Sequence, residues 1–455
     1  GRGHEIIQDY GNRKRIFSDK SFILKYIKQK NKKLKKDLKF NILKEISRQN
    51  YFSTESRIRK ASINSKEIKK NDVFFAIKGK KNDGNLFIKE AFDKGASLVV
   101  VNRINRSAKK NKQIKANNCL DFLTKASKIV RENSNGKIIA ITGSCGKTSL
   151  KELLAKTLVK FGEVTFSPKS FNNKYGVPLS LFNLNPNHEY GIFEVGMDKK
   201  GEIDHLSKII KPDIGVITNI SYAHAKNFKN IKQIALAKSE IINNINDGGN
   251  IVLNADDQFF NLHKKIALKR NLKIYTFSML KNSTIRLNYV KKERHKFKIS
   301  IAIGNINKYF FIPFNFENYV RNLLAAITII SIFKDITKLD KNIFYDFNTP
   351  KGRGDISKIK FRNKSIFLID ESYNSNPLSL KSAIKNFHSI KTSNKKHIVL
   401  GDMLELGKHT KILHQKMSAV INSTSIDQVN VFGKHIKETY KNINIKKKGI
   451  ILNEY

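Results

Sequence analysis

The sequence has very few cysteines and no long apolar run. Only Cys119 and Cys145 occur among the 455 residues, and they do not have metal-ligand spacing. Two thiols exclude a disulfide framework and fit a reducing compartment. No apolar run approaches the ~20 residues that a membrane-spanning helix needs, and the first residues do not resemble a signal peptide. These absences predict a cytoplasmic protein without a membrane partner.

Acidic residues are also scarce relative to basic ones. The chain has 87 Lys and Arg against 38 Asp and Glu, which gives a formal net charge of +49. A charge of this size can indicate a nucleic-acid-binding protein. However, the lysines are spread along the whole chain beside many Ile and Asn, and no basic motif interleaved with aromatic residues stands out. We therefore favour a compositional bias and no nucleic-acid partner, with nucleotide-dependent nucleic-acid binding as the alternative.

One stretch has the features of a phosphate-binding loop. Residues 137–142 form a short β-branched run, and leucines recur at helical spacing over residues 150–158. The turn between them contains two glycines, Lys147 and Thr148. Glycines let backbone N–H groups approach a phosphate, the helix start adds partial positive charge, the lysine can reach terminal phosphates, and the threonine can hold Mg²⁺. The general pattern G-x-x-x-x-G-K-[ST] is not complete, because Ile141 stands at its first position.

The spacing of apolar residues predicts an α/β protein. Strand-like runs occupy residues 73–77, 96–101, 137–142, 191–195, 214–220, 250–257, 365–370, 397–401 and 429–433. Helical spacing is found at residues 87–94, 120–132, 150–158, 323–330, 379–390 and 413–421. Residues 285–314 alternate like a hairpin-rich sheet edge.

The length allows about three domains at ~150 residues each. We predict a small N-terminal α/β domain at residues 37–113. A central domain with a mostly parallel sheet and the phosphate loop follows at 114–335. A C-terminal Rossmann-like domain occupies 336–455.

Polar residues follow the strands that come after the phosphate loop. Glu194 ends one run, Ser221 and His224 follow the next, and an Asp pair at 256–257 follows a third, while a helix adds Lys238. The carboxyl ends of parallel strands meet at one edge, where ligands bind. Taken singly, such a Glu or His is more often structural. Their order after a phosphate loop instead favours cations beside a transferring phosphate.

Longer motifs occur in a fixed order along the chain. They are T-G-S-C-G-K-T at 142–148, S-F-N-N-K-Y-G-V-P-L at 170–179, E-V-G-M at 194–197, N-I-S-Y-A-H at 219–224, A-K-S-E-I at 237–241, G-R-G at 352–354, D-E-S-Y-N-S-N-P at 370–377 and L-G-D-M-L-E-L-G at 400–407, with His414. From about residue 40 to the end, the sequence resembles the Mur ligase family, ATP-dependent enzymes of peptidoglycan precursor synthesis. T-G-S-x-G-K-T is that family's form of the loop, which accounts for the missing glycine.

The resemblance implies an ATP-dependent amide ligase that joins D-alanyl-D-alanine to UDP-N-acetylmuramoyl-tripeptide. The peptide carboxylate would take the γ-phosphate of ATP and become an acyl phosphate, and the dipeptide amine would then displace phosphate. The first domain would bind the UDP substrate, and the third would close onto the nucleotide. The resemblance also implies ATP and two Mg²⁺ ions as cofactors, and a monomer.

By position, the resemblance implies that Thr148 and Glu194 hold the first Mg²⁺ and that His224 and Lys238 hold the second. Carbamylation would turn the repelling Lys238 ammonium into an anionic ligand, and an unmodified lysine is the alternative. Lys147, Glu194, His224 and Lys238 are the implied catalytic residues. The implied ATP-binding residues are Gly143, Ser144, Cys145, Gly146, Lys147, Thr148, Ser149, Asn322 at the adenine, Arg353 at the phosphates, Asp370 at the ribose, and Asn374. The implied substrate-binding residues are Asn172, Asn173 and Ser221.

The sequence departs from the family pattern at several positions. Phe316 and Asn318 replace the Gly and His of a G-x-H-x-x-x-N helix start, residues 64–66 replace D-[ST]-R, and Asn85 replaces the His of F-D-G-H. The chain also stops before the usual K-G-S segment, which predicts an incomplete third domain.

The first residues, G-R-G-H-E, resemble the C-terminal end of the family member that adds the third peptide residue. We therefore predict that residues 1–36 are the tail of such a ligase with a linker, from a fused chain or an imperfect gene model. A disordered leader is the alternative. The nearest alternative function is another ligase of the superfamily, for a different peptide residue or for folylpolyglutamate, although residues 373–377 and 401–405 argue against both.

Overall fold

The computed structural model describes residues 38–49, 58–79, 82–361 and 364–453. The chain divides into two compact units, Gly1–Ser134 with Phe182–Asn187, and Asn135–Leu181 with His188–Tyr455. The predicted tail at residues 1–36 lies outside the described residues, and the three domain boundaries remain predictions. None of the helices in the described ranges is long and apolar enough to cross a lipid bilayer.

The first unit contains a small parallel sheet with helices. The strands lie in the order β1 (Ala61–Ser62), β2 (Val73–Phe75), β3 (Leu98–Val101) and β4 (Gln113–Lys115), and all are parallel. The helices are α1 (Leu38–Ser47), α2 (Ile88–Asp93) and α3 (Cys119–Glu132). The Val and Phe runs of β2 and β3 are fully buried, as expected for strands that are covered on both faces. The strands predicted at 73–77 and 96–101 are therefore present in shorter form.

A nine-stranded sheet forms the centre of the second unit. Its strands are β5 (Lys137–Thr142), β6 (Val164–Phe166), β7 (Tyr190–Glu194), β8 (Ile214–Ile217), β9 (Asn250–Asn254), β10 (Lys273–Ser278), β11 (Ile285–Glu293), β12 (Lys296–Ile303) and β13 (Ile306–Ile312). They lie in the order β13-β12-β11-β10-β9-β8-β5-β7-β6. Only the β11–β12 and β12–β13 pairs are antiparallel. The predicted hairpin-rich edge is thus an antiparallel extension of a parallel sheet.

Six helices accompany this sheet: α4 (Lys147–Leu158), α5 (Gly176–Phe182), α6 (Glu202–Ile210), α7 (Ile231–Ser239), α8 (Phe260–Lys269) and α9 (Glu317–Ser331). Leucines of α4 and the apolar face of α9 pack with β5, β7 and β8 in one buried cluster. The strand–loop–helix unit β5–α4 is therefore anchored in the core, with β5 hydrogen-bonded between β8 and β7.

The C-terminal part contains two smaller sheets. An antiparallel pair is formed by β14 (Asp355–Phe361) and β15 (Lys364–Asp370), and a parallel sheet by β16 (His397–Gly401), β17 (Gln428–Phe432) and β18 (Lys448–Leu452). The helices are α10 (Pro377–Ser389), α11 (Thr410–Asn422) and α12 (Lys437–Lys441).

The strand predicted at 365–370 pairs differently from the Rossmann-like expectation. We expected it to begin a parallel alternation, but it pairs with the strand just before it, with Asp355 opposite Asp370. Strands that follow one another closely can pair antiparallel through a short connection, whereas parallel pairing needs a crossover. The parallel order is retained from β16 to β18.

Candidate active site

The phosphate loop connects β5 to α4 and has no side-chain cap. Gly146 is the N-cap of α4 at φ +82°, and as a glycine it provides no side chain to cap the N–H groups of the first turn. Gly143 is at φ +145°, and a Cβ there would lie 1.9 Å from Thr218 Oγ1. Both positions therefore require glycine. The first N–H groups of α4 have no side-chain partner, which is the arrangement that binds an anion at a helix N-terminus.

The segment after β8, residues 218–221, is hydrogen-bonded to the phosphate loop. Ser144 N–H donates to Asn219 O at 2.9 Å, and Cys145 N–H donates to Asn219 Oδ1 at 2.9 Å. Thr218 Oγ1 donates to Cys145 O at 2.6 Å, and Ser144 Oγ exchanges hydrogen bonds with the backbone of Ser221. Ser221 thus supports the loop through its main chain.

A hydroxyl and a carboxylate meet at the start of α4. Thr148 Oγ1 donates to Glu194 Oε2 at 2.8 Å, and Asn172 Nδ2 donates to Glu194 Oε1 at 2.7 Å. Glu194 is buried at the carboxyl end of β7, where its backbone N–H donates a hydrogen bond to Ser167 Oγ. Oxygen atoms of this kind are the ligands that Mg²⁺ prefers. The pair therefore fits a divalent cation beside a phosphate.

Two lysines converge on one carbonyl of the loop. Lys147 Nζ donates to Gly143 O at 2.9 Å, and Lys238 Nζ donates to the same oxygen at 3.0 Å. Lys238 is fully buried. Burial and the neighbouring charge of Lys147 lower the pKa of Lys238 well below its usual value. Both effects shift the equilibrium of Lys238 toward the uncharged amine.

His224 lies after β8 with acidic neighbours. Its Nδ1 is 3.2 Å from Asp198 Oδ1 and also contacts Glu405 Oε2. Burial lowers the pKa of His224, although Glu405 acts to raise it. The neutral imidazole is therefore favoured near pH 7, which is the form that ligates a metal ion.

Residues from the C-terminal part reach the same place through Ser170. Tyr373 OH donates to Ser170 Oγ at 2.9 Å, and Arg353 Nη2 lies 3.4 Å from it. The Arg353 guanidinium stacks on the Tyr373 ring at 4.2 Å. Ser170 Oγ is also 3.3 Å from Thr148 Oγ1. One hydroxyl thus links the start of α4 to an arginine that can bind phosphate.

Helix α10 also begins at the phosphate loop. Asn376 caps this helix by accepting from the N–H groups of Leu378 and Ser379, and its Nδ2 lies 3.0 Å from Cys145 Sγ. A second helix N-terminus therefore adjoins the first.

These groups line a cavity of about 860 Å³. The predicted residues that line it are Ser144, Cys145, Gly146, Lys147, Thr148, Ser149, Asn172, Asn173, Glu194, His224, Asn322, Arg353 and Asn374. Those that do not are Gly143, Ser221, Lys238 and Asp370. Most of the predicted site is therefore brought together around one cavity.

Asn322 is an example of a predicted residue that lines the cavity, and Asp370 is an example of one that does not. Asn322, on α9, lies against the loop, since a Cβ on Gly146 would be 2.6 Å from Asn322 Oδ1. Asp370, at the end of β15, accepts a hydrogen bond from Ser372 N–H, and this lowers the pKa of Asp370. Its neighbour Glu371 lines the cavity instead.

Other polar residues that the sequence analysis singled out have structural partners. Asp256 accepts from Ser278 Oγ and Met279 N–H, and Asp257 accepts from the N–H groups of Ile220 and Phe259. Buried His414 accepts from Met403 N–H through Nε2 and donates to Thr410 O through Nδ1. These groups tie loops together beside the cavity.

No role is predicted from sequence alone for Ser170, Tyr373, Asp198 or Glu405. Ser170, Tyr373 and Glu405 lie inside the motifs quoted above, and Asp198 directly follows one. The motifs could therefore have marked them as candidates, but only the folded chain shows which side chains they meet.

Comparisons with known proteins match most of the chain. Three family models match: the catalytic domain of the Mur ligase family at residues 57–132, the Mur ligase middle domain at 141–330, and the Mur ligase glutamate ligase domain at 358–451. A relative from Rickettsia prowazekii (strain Madrid E), named UDP-N-acetylmuramoyl-tripeptide--D-alanyl-D-alanine ligase, is 34% identical over 392 residues, covering 85% of each chain.

Solved structures are similar as well. MurF ligase from Thermotoga maritima, solved in complex with ADP, is 26% identical with a TM-score of 0.73, and the match covers 86% of this chain and 88% of that one. A MurF structure from Acinetobacter baumannii is 24% identical with a TM-score of 0.77, covers 90% of this chain and 88% of its own, and has the same fold. The motifs, the site and the extent of these matches lead to one conclusion: the chain belongs to the Mur ligase family.

Proposed function

We propose that this protein is the ATP-dependent ligase that joins D-alanyl-D-alanine to UDP-N-acetylmuramoyl-tripeptide. The observation that carries the proposal is the uncapped phosphate loop with Thr148 on Glu194, at a cavity that Arg353 and Tyr373 also line. The name of the Rickettsia prowazekii relative, which matches most of both chains, supplies the substrates.

The first step would transfer the γ-phosphate of ATP to the terminal carboxylate of the tripeptide. The carboxylate oxygen attacks phosphorus, the bond to the β-phosphate oxygen breaks, and ADP leaves an acyl phosphate behind. Lys147 and the free N–H groups of α4 would stabilise the negative charge on the transferring group. Arg353 would hold the phosphates from the opposite side, because its guanidinium can bind two oxygens at once.

The second step would form the amide. The amine of D-alanyl-D-alanine attacks the acyl carbon, a tetrahedral intermediate collapses, and inorganic phosphate departs with the former carboxylate oxygen. Holding both substrates in one cavity replaces a collision between them with a step in a fixed geometry. The walls that the C-terminal residues contribute would also exclude water, which would otherwise hydrolyse the acyl phosphate.

Thr148 and Glu194 would hold one Mg²⁺, and His224 and a carbamylated Lys238 would hold a second. Bound Mg²⁺ would offset the charge on the phosphate oxygens during transfer. The donor set fits the first ion, since Thr148 and Glu194 present oxygen atoms at the loop. For the second ion, His224 lines the cavity, and the amine of Lys238 lies on Gly143 O of the same loop. The lowered pKa of Lys238 supports carbamylation, because the uncharged amine is the form that adds to CO₂.

The test is phosphate release from ATP with each substrate alone and with both together. We expect release only when UDP-N-acetylmuramoyl-tripeptide and D-alanyl-D-alanine are both present, together with a product whose mass equals their sum less water. Phosphate release that does not depend on both substrates would disprove the proposal.

The carbamate has a separate test. Lys238→Ala should lose activity and regain part of it with added short carboxylic acids, which can replace the missing anionic ligand. An unmodified Lys238 in an experimental structure, together with no rescue, would contradict the carbamate.

We further propose that the protein acts as a cytoplasmic monomer without a nucleic-acid partner. The alternative, nucleotide-dependent nucleic-acid binding, is suggested by the net charge of +49 and can be tested directly. A nucleic-acid-binding protein would bind DNA or RNA with a steep salt dependence and without turnover of ATP. We expect no such binding at physiological ionic strength. For a monomer, we also expect the molecular mass measured in solution to equal that of one chain.

A further inference from the structure

The ring of His224 lies between two carboxylates from distant parts of the chain. Its Nδ1 is 3.2 Å from Asp198 Oδ1 and contacts Glu405 Oε2. Asp198 follows β7, whereas Glu405 follows β16. In the described part of the chain these three side chains form a group whose ligand atoms all lie within 4.8 Å of one another. The acidic partners therefore face one particular nitrogen of the imidazole.

The choice of nitrogen decides what His224 can do. A neutral imidazole has one N–H and one lone pair, on different nitrogens. The buried Nδ1 has no hydrogen bond of regular geometry in the described residues, but the negative charge of the two carboxylates beside it favours the proton there, which leaves the lone pair on Nε2. Metal-ligating histidines commonly donate their other N–H to a carboxylate, which sets the tautomer and the ring orientation. His224 also lines the cavity.

Backbone geometry brings Glu405 to this position. Lys226 N–H donates to Glu405 O at 2.9 Å, and Lys226 Nζ lies 3.3 Å from Glu405 Oε1. His224 and Glu405 both have left-handed backbone, at φ +54° and φ +62°. Residues other than glycine rarely adopt this conformation, and such strain is concentrated at functional sites. The contact is therefore enforced by the surrounding structure.

Apolar packing keeps the two segments together. Tyr222 packs against a cluster of Met403, Leu406, Leu413 and Met417, and its ring is 5.0 Å from that of His409. Gly407 permits the close approach, since a Cβ there would lie 2.7 Å from Lys226 Cα. Docking of the segment after β16 thus has several contacts besides the Glu405 carboxylate, so loss of that carboxylate alone leaves most of the docking in place.

We propose that Glu405 is a positioning residue that, together with Asp198, orients His224 so that Nε2 faces a divalent cation. The cation site is then complete only when the segment after β16 is docked on the segment after β8. Cation affinity and docking of the C-terminal part are thereby coupled. This inference rests on the proposed function, because it takes His224 as a metal ligand.

The experiment measures Mn²⁺ binding to the ADP-loaded protein from the electron paramagnetic resonance signal of free Mn²⁺. Glu405→Gln and Glu405→Ala are the test variants, and His224→Ala is the reference without the ligand. We expect the dissociation constant of one Mn²⁺ to rise by ~10–100-fold in the Glu405 variants, the usual cost of losing such a partner. His224→Ala should raise it at least as much.

Two control variants separate positioning from docking. Lys226→Met removes a side-chain contact to Glu405 but leaves His224 and its carboxylates, and Asp247→Asn removes an exposed carboxylate that pairs with Arg270. Both should bind Mn²⁺ as the unmodified protein does. In turnover assays, the Glu405 variants should need more Mg²⁺ for half-maximal rate but recover kcat at saturating Mg²⁺, whereas a folding defect would lower kcat at every concentration.

The inference is overturned if the Glu405 variants bind Mn²⁺ as the unmodified protein does, or if Lys226→Met loses as much Mn²⁺ affinity as they do. Glu405 would then be only a docking contact. If His224→Ala also binds Mn²⁺ normally, the metal role of His224 fails and the inference fails with it. The ligase function is judged separately by the two-substrate phosphate assay, so the two failures can be told apart.

Discussion

At the scale of single residues, the site depends on a few polar groups held by many others. Lys147 and Lys238 share Gly143 O, and Thr148 and Asn172 share the carboxylate of Glu194. Each of these groups has a hydrogen-bond partner within the protein itself. The substrate therefore enters a site whose side chains are already oriented, which is the condition for electrostatic stabilisation of a transition state.

Lys147→Ala tests the charge at the phosphate loop. We expect the rate of phosphate release to fall by ~10²–10³-fold, as for other groups that stabilise developing charge. The control is Lys208→Ala, on the exposed side of α6, which removes the same charge and should leave the rate unchanged. Equal rates in the Lys147 variant and the unmodified protein would contradict the assigned role.

Cys119 provides a prediction about reactivity. The residue is buried, and its Sγ lies 3.5 Å from Val100 O. Burial, with a smaller effect of Asp83, raises the pKa of the Cys119 thiol to about 12. Because the thiolate is the reactive form, Cys119 should stay unlabelled by iodoacetamide at pH 8 in the native protein and react after unfolding. Peptide mass spectrometry identifies the labelled cysteine. Fast labelling of Cys119 in the native protein would contradict the prediction that this thiol is buried and unreactive.

At the scale of elements, β5, the phosphate loop and α4 form one unit anchored in the core. The leucines of α4 that predicted a helix are the ones that pack under the sheet, including Leu150 and Leu154. The same periodicity therefore predicts both the helix and the face of it that packs into the core.

Leu154→Ala tests this anchoring. Removal of a fully buried leucine should lower the free energy of unfolding by ~2–5 kcal/mol through lost burial and the cavity left behind. Leu268→Ala on α8 is the matched control, because Leu268 is 56% exposed. It should change stability by ~0.5 kcal/mol or less. Both values come from urea unfolding, and similar losses in the two variants would argue against the packing described.

The polar residues of the β5–α4 region were predictable as a set, whereas their partners were not. Glu194 and His224 follow strands in the order that a parallel sheet requires, so their proximity follows from sequence and topology. The contact of His224 with Glu405 does not, since these residues are joined only by the docking of two segments that are distant in sequence.

At the scale of the whole molecule, binding of nucleotide should stabilise the fold. The cavity is lined by residues from the phosphate loop, α9 and the C-terminal part. A ligand at 100 times its dissociation constant adds ~2.7 kcal/mol to the free energy of unfolding. We expect Mg²⁺ with a non-hydrolysable ATP analogue to raise the Tm of the protein, and Lys147→Ala to reduce that rise. An unchanged Tm for the unmodified protein would count against nucleotide binding.

The sequence by itself determined the α/β class, the position of the phosphate loop and, through its motifs, a set of site residues of which most line the cavity. The class and the loop depend on local spacing, and Glu194 and His224 also on the rule that parallel strands present their carboxyl ends at one edge, whereas the other site residues follow from the resemblance of the motifs to those of the Mur ligase family. The tertiary structure alone decided that β15 pairs with β14, that Asp256, Asp257 and His414 hold loops, and that Glu405 meets His224. Such contacts join residues that are distant along the chain, and their geometry is set by packing, which has no local period for a sequence pattern to reveal.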